Sequence, residues 1–293
     1  MKTKNAFEAF LAYQEKMGMS GKTILNDRVY LLGSLSHSIH DIDIADLKKT
    51  DVAKVIEAGR SHGRYGAQRS VVVLRKFLKY LKYSGEPAPF RWQDIRIPSV
   101  PQKKNEYLTE EELEQLLDAI DISTPAGLRT RTLLEVLYAT GMRIGEVIPM
   151  NRDDVDWEKK EAIITNVKSH ERQKVYFSDR SLCWLKRYLE NRRDDNSALF
   201  ISGRARLVRG SSGGYIRNHL QELAEKLGIK KQIKHHLFRK TFVTHLLQRK
   251  ADIMCVKDLA RHRSERTTLQ NYAGVSRERS KTVHTGIMNG LLE

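Results

Sequence analysis

Apolar residues recur every three to four positions along most of this chain, and strictly alternating runs are few. Phe7, Phe10 and Leu11, continued through Gln14 to Met17, form one amphipathic segment, and Ile24 to Leu35 form a second. Thr50 to Ala58 begin a third, with Thr50 as the expected cap. Val71, Val72, Leu74, Phe77, Leu78 and Leu81 stripe a fourth, with Lys and Arg between them. Residues 1–84 therefore predict a small all-helical bundle.

The pattern breaks over 85–106, where Gly85, Pro87, Pro89, Pro98 and Pro101 are followed by Lys103 and Lys104. This predicts an extended, basic linker between two domains. Residues 107–293 form the second. Leu108, Thr109 and Glu112 give a capping-box pattern with a hydrophobic staple, and Leu113, Leu116, Leu117 and Ile120 follow at helical spacing. Leu128 to Ala139 predict a helix stopped near Gly141. Ala162–Thr165 and Val175–Phe177 flank a polar turn, Lys168 to Lys174, and read as a β-hairpin. Helices are expected at 181–193, 215–227, 236–249 and 252–259, with 203–214 as a loop carrying Arg204, Arg206 and Arg209. The fold class is mainly α: a helical bundle, then a mostly α domain with a small antiparallel sheet.

Charge narrows the partner. The 293 residues hold 52 Lys and Arg against 36 Asp and Glu, a formal net charge of +16, which points to a polyanion, nucleic acid first. Residues 1–84 contribute 15 basic and 8 acidic side chains, and residues 228–263 contribute ten and two, so phosphate contact is expected on both domains. Arg64, Arg69, Arg75, Lys76, Lys79 and Lys82 mark the expected DNA-facing helices of the first. Two cysteines, Cys183 and Cys255, are too few for a disulfide framework and favour a reducing compartment. No apolar run approaches the roughly 18 residues of a membrane span, and the N-terminus lacks a signal peptide's apolar stretch. A cytoplasmic protein is expected.

Two stretches carry the chemistry. One is Ala139-Thr-Gly-Met-Arg-Ile-Gly-Glu-Val-Ile-Pro-Met150. The other is His236-Leu-Phe-Arg-Lys-Thr-Phe-Val-Thr-His245, followed by His262 and Tyr272. A guanidinium grips two phosphate oxygens through a planar fork, which lysine cannot do. Glu146 stands where it could orient Arg143 or brace the next helix. Taken singly, Arg143 and Glu146 read as a surface ion pair, Tyr272 as a packed aromatic and Lys168 as a solvated turn residue. The ordered set of two arginines, histidines and a late tyrosine in so basic a chain changes that reading. His235, His236 and His245 lack a fourth ligand at sensible spacing for a metal, and His245 is expected to pack or hydrogen-bond within its helix.

The set resembles the tyrosine recombinases, the family of phage integrases and Xer-type enzymes. That family's first box, Ala-Thr-Gly-x-Arg-x-x-Glu, is matched by residues 139–146. Its second, His-x-Leu-Arg-His-x-Phe-x-Thr-His, is matched at His236, Arg239, Phe242, Thr244 and His245, with Phe238 and Lys240 as departures. The N-terminal block is similar to the family's SAM-like core-binding domain. The resemblance implies that Arg143 and Arg239 clamp the scissile phosphate and that Tyr272 attacks it to give a 3′-phosphotyrosine. It also implies that Lys168 protonates the leaving 5′ oxygen, His236 assists proton transfer at the tyrosine, and His262 hydrogen-bonds the phosphate. It calls for no metal and no nucleotide cofactor. The partner is a double-stranded recombination site, synapsed by a homotetramer or heterotetramer; the resemblance has the tail (Thr282 to Leu292) dock on a neighbour, and folding on its own domain is the alternative.

Several alternatives stand beside these assignments. Lys174 and Arg172 compete with Lys168, His235 with His236, and Tyr215 with Tyr272. The family's glycine before the late histidine is Arg261 here, and His262 precedes Tyr272 by ten residues where nine is commoner. A type IB topoisomerase or telomere resolvase would share the phosphotyrosine step. A catalytically idle DNA-binding regulator would have lost Arg143, Arg239 or Tyr272, and all three are present.

Overall fold

The computed structural model describes residues 1–35, 41–100, 106–165, 171–203, 205–206 and 213–262. The chain divides into two compact units, Met1–Gln102 and Lys103–Glu293.

The first unit comprises α1 (Thr3–Lys16), α2 (Gly21–Arg28), a π-helical continuation (Val29–Leu35), α3 (Asp51–Arg60) and α4 (Gly66–Tyr83). Helix α2 starts earlier than its apolar pattern suggests because the Ser20 side chain accepts the Thr23 N–H at 3.3 Å. Winding then widens at Val29, so the segment expected as one helix is two. Thr50 is not the cap expected of it: it is already helical, and Asp51 Oδ2 instead accepts the Lys48 N–H at 2.9 Å. The core gathers Phe7, Phe10, Leu11, Leu74, Phe77 and Leu78, with the Phe77 ring set edge-on to Phe7 at 4.7 Å and to Phe10 at 5.9 Å.

Part of the stretch expected as linker packs on this core. Ile95 is buried in the core, and Phe90, Trp92 and Ile97 pack against that core. Arg75 and Lys79 lie over the Trp92 ring, 4.9 and 5.9 Å from its centre. Lys76, expected on the DNA face, is instead held 2.9 Å from the buried Asp27, which also accepts from Gln14 at 2.8 Å.

The second unit opens on α5 (Glu110–Asp118), whose Thr109–Glu112 capping box is formed in both directions. Next come α6 (Pro125–Thr140), α7 (Ile144–Val147), β1 (Val155–Asp156), β2 (Glu161–Thr165), β3 (Arg172–Tyr176) and α8 (Asp179–Glu190). Strands β1, β2 and β3 make an antiparallel sheet in that order, with Ala162 opposite Val175. Ala162, Ile164 and Val175 are buried from this small sheet.

A two-stranded hairpin, β4 (Ile201–Ser202) and β5 (Ala205–Arg206), occupies the start of the segment expected as a loop. Two-residue strands carry no periodicity that the sequence could show. Helices α9 (Gly213–Lys226), α10 (His235–Gln248) and α11 (Ile253–Leu259) complete the unit. Helix α6 is buried on nearly every side, packed by α8 and α10, which explains why it lacks a polar face. Among the described residues no helix is long and apolar enough to cross a membrane.

Candidate functional site

The site begins where α6 ends. Gly141 takes the left-handed conformation, φ 59°, and a β-carbon there would collide with the Phe242 ring of α10. Glycine is thus required twice, by backbone and by space. The chain turns through buried Met142 and presents Arg143 in extended conformation at the head of α7.

Glu146 Oε2 accepts the Arg143 N–H at 2.8 Å, and Glu146 Oε1 accepts Arg143 Nη1 at 2.9 Å. The sequence suggested that Glu146 either orients Arg143 or braces the helix; it does both. Glu146 is only 3% exposed, whereas the Arg143 side chain is 43% exposed. Burial pushes the Glu146 carboxyl up, but the Arg143 N–H and the Arg261 and Arg143 guanidiniums outweigh it and hold the group below its ordinary value.

Arg239 arrives from α10 and is fully buried. Its Nη1 donates to the Gly141 carbonyl at 2.5 Å and its Nη2 to the Ala260 carbonyl. Among the described residues its Nε has no partner. Burial first, then the cations of Arg143 and Arg261, push its pKa down. Arg239 keeps its proton, so the site bears the cost of a buried charge and the repulsion of its neighbours, both of which an anion bound between the forks would relieve.

Two histidines complete the cluster. His262 is largely buried, and burial followed by Arg239, Arg143, His236 and Arg261 takes its pKa down to about 4, so it is neutral at pH 7. His236 stands at the start of α10, and its pKa is lowered by desolvation and by Arg239, Lys240 and Arg143.

Arg261, noted in the sequence only as a replaced glycine, is a third buried guanidinium. Its Nη2 lies 3.3 Å from Glu146 Oε2, and its Nη1 donates to Leu259 O at 2.8 Å and Thr140 O at 3.3 Å. The structure therefore unites Arg143, Arg239, His236 and His262, and adds Arg261. The cluster holds three guanidiniums and one carboxylate, of which Arg143 and Arg261 pair with Glu146 and Arg239 does not, and the net positive charge calls for an anion.

Lys168 and Tyr272 lie outside the described residues, as do Arg204, Arg209 and the tail. Lys174, one rival of Lys168, is on β3 and pairs with Glu161 at 2.8 Å. His245 does not bond within its helix: it bridges the Leu108 carbonyl and the Tyr138 hydroxyl, each at 2.9 Å. A surface hollow bordered by Glu106, Gln221, Lys231 and Lys234 includes none of the clustered groups.

Residues 106–279 match the model of the phage integrase family, and this segment contains the whole cluster. The chain belongs to that family. Tyrosine recombinase XerD of Corynebacterium glutamicum is 30% identical over 286 residues, covering 92% of each chain. Two solved structures share the fold at low identity. The integrase of the Tn1549 transposon, in complex with transposon right end DNA, is 15% identical, with TM-score 0.82, over 99% of this chain and 100% of that one. A lambda integrase tetramer bound to a Holliday junction is 14% identical, with TM-score 0.74, over 90% of this chain and 78% of that one. As a member of this family the chain is a tyrosine site-specific recombinase, an enzyme that cuts and rejoins DNA. The sequence missed Arg261 as a participant; the one signal was a long cation in a position the family leaves to glycine.

Proposed function

We propose that the Arg143–Arg239 cluster binds the scissile phosphodiester and that the protein is a Xer-like recombinase working through a 3′-phosphotyrosine. The observation that carries this reading is two guanidiniums, Arg143 and Arg261, on one buried carboxylate with the buried Arg239 as a further cation near them, Arg143 half-exposed and the Arg239 Nε unmatched among the described residues. A phosphodiester fits that excess.

In this reading the Tyr272 oxygen attacks phosphorus and the bond to the 5′ oxygen breaks. The phenolic proton passes toward His236, whose lowered pKa keeps it neutral and able to accept. The leaving 5′ oxygen takes a proton from Lys168, and neutral His262 donates a hydrogen bond to a non-bridging oxygen. Arg143 and Arg239 stabilise the charge that builds there. The helical first unit holds duplex flanking the cut, with Arg75 and Lys79 on its Trp92 face. The working assembly is a tetramer on two synapsed duplexes, in the cytoplasm. The free, exposed Cys183 and Cys255 suit a reducing compartment.

The test is a nicked suicide substrate that traps the covalent intermediate, with the adduct mapped by mass spectrometry. Tyr272→Phe should bind DNA and form no adduct, and an adduct on another residue overturns the assignment. Lys168→Ala should cleave poorly but recover on a substrate whose leaving oxygen is replaced by sulfur, which needs no proton. Removing residues 280–293 should spare DNA binding and disrupt strand exchange.

A further inference from the structure

Arg261 occupies the family's glycine position without changing the backbone conformation that glycine suits. Its φ is 52°, in the left-handed region, and its side chain is only 3% exposed. An arginine there bears both an unfavourable backbone state and a buried charge. Its contacts show what these are set against. One guanidinium reaches the carbonyl of Thr140 at the end of α6, the carbonyl of Leu259 at the end of α11, and Glu146 Oε2. That same Oε2 accepts the Arg143 N–H at 2.8 Å, while Oε1 holds Arg143 Nη1 at 2.9 Å. Arg261 and Arg143 therefore share one carboxylate, and Arg261 also fastens that carboxylate to the segment ending in His262.

We propose that Arg261 is a positioning residue for phosphate capture: it anchors Glu146, and through Glu146 it sets the Arg143 backbone and side chain against Arg239 and His262. With Arg261 in place, Glu146 is balanced by two cations, and Arg143 spends only Nη1 on it, leaving the rest of its fork for the phosphate. Without Arg261, Glu146 keeps Arg143 as its sole guanidinium partner and draws it away from the substrate. Glycine supplies the backbone but neither the anchor nor the charge balance.

This inference rests on the phosphate-binding reading above, and the experiment separates the two. Arg261→Gly suits φ 52° and should still fold; Arg261→Asn, also tolerant of that conformation, is the second variant. In the DNA-free full-length protein, hydrogen exchange at the Arg143 amide reports the bond to Glu146 directly. Both variants should raise its rate by about ten-fold. Single-turnover cleavage of the suicide substrate should fall about ten-fold, with DNA affinity changed much less. In a double-mutant cycle with Glu146→Gln, the cleavage effects should depart from additivity by at least about three-fold.

Unchanged Arg143 exchange in both variants overturns the inference, whatever cleavage does. A cleavage loss that only tracks weaker DNA binding, or additive effects in the cycle, also overturns it. Absence of any Tyr272 adduct in the parent protein instead removes the reading beneath it, and the exchange measurement still decides whether Arg261 positions Arg143.

Discussion

Two buried carboxylates in the second unit sit among arginines, and the surroundings of each suit a different purpose. Glu135, on α6, accepts Arg131 Nε at 3.0 Å and Arg180 Nη2 at 2.8 Å. Arg131 also reaches Asp118, and Arg180 also reaches Glu114. Two guanidiniums thus meet three carboxylates, and the Arg131 plane lies over the Trp184 ring at 4.5 Å. Glu146 is met by Arg143 and Arg261, and Arg239 adds a third cation nearby that pairs with no carboxylate and bonds backbone carbonyls, so one carboxylate serves a cluster of three guanidiniums. The same residue types neutralise one another in the first cluster and leave an excess in the second. Burial of charge alone therefore does not identify a site; the sign left over does.

The largest expected effect belongs to the neutralised cluster. Glu135→Ala breaks the buried Arg131–Glu135 pair, although Arg131 keeps Asp118 and the half-exposed Arg180 keeps Glu114, and should cost about 3 kcal/mol of stability, read from the urea unfolding midpoint, while folded enzyme cleaves as before. A loss of cleavage with no loss of stability would erase the contrast between the clusters. Arg239→Ala should do the reverse. Removing one pre-set donor to a developing anion lowers the rate by about 10²–10³, measured as single-turnover cleavage on folded protein, while relief of the cationic crowding offsets part of the cost of the cavity and of the bared Gly141 and Ala260 carbonyls. Arg239→Lys should restore little, because it keeps the charge and loses the fork.

Protonation sharpens the comparison at slightly smaller scale. The His262 pKa is about 4 in the folded protein against an ordinary 6.5. The unfolded chain therefore binds the extra proton first as pH falls. The stability this provides is complete above pH 6.5 and is lost between 6.5 and about 4, reaching at most about 3 kcal/mol. Urea titrations across that window should show the slope, and His262→Asn should flatten it. The slope should also shrink when duplex DNA occupies the cluster, since phosphate raises the pKa. The smallest effect lies at a remote helix start: Thr109→Ala should cost about 1 kcal/mol in unfolding free energy and leave cleavage untouched.

Local signals carried much of the fold. The Thr109–Glu112 box, the Gly141 stop and the β2–β3 pairing each depend on residues close in sequence, and each is present. What escaped was set by distant partners. His245 bonds a carbonyl 137 residues away, and Lys76 is claimed by an aspartate 49 residues away. Neither distance leaves a trace in periodicity. Thr50 failed as a cap because its backbone is already helical, where a capping side chain needs an extended one. In the site, motif spacing was enough to bring Arg143, His236, Arg239 and His262 to notice. The role of Arg261 depends on the fold around Glu146, which no spacing encodes.

The missing β-carbon of Gly141 has one last consequence. Helices α6 and α10 meet there with the Phe242 ring against bare backbone, and the adjoining carbonyl holds Arg239 while the next turn launches Arg143. The spacing between the two jaws is therefore gauged by an atom that is not there. Even a single methyl at this position would act as a shim, and a library of substitutions at residue 141 should return few active clones, alanine included.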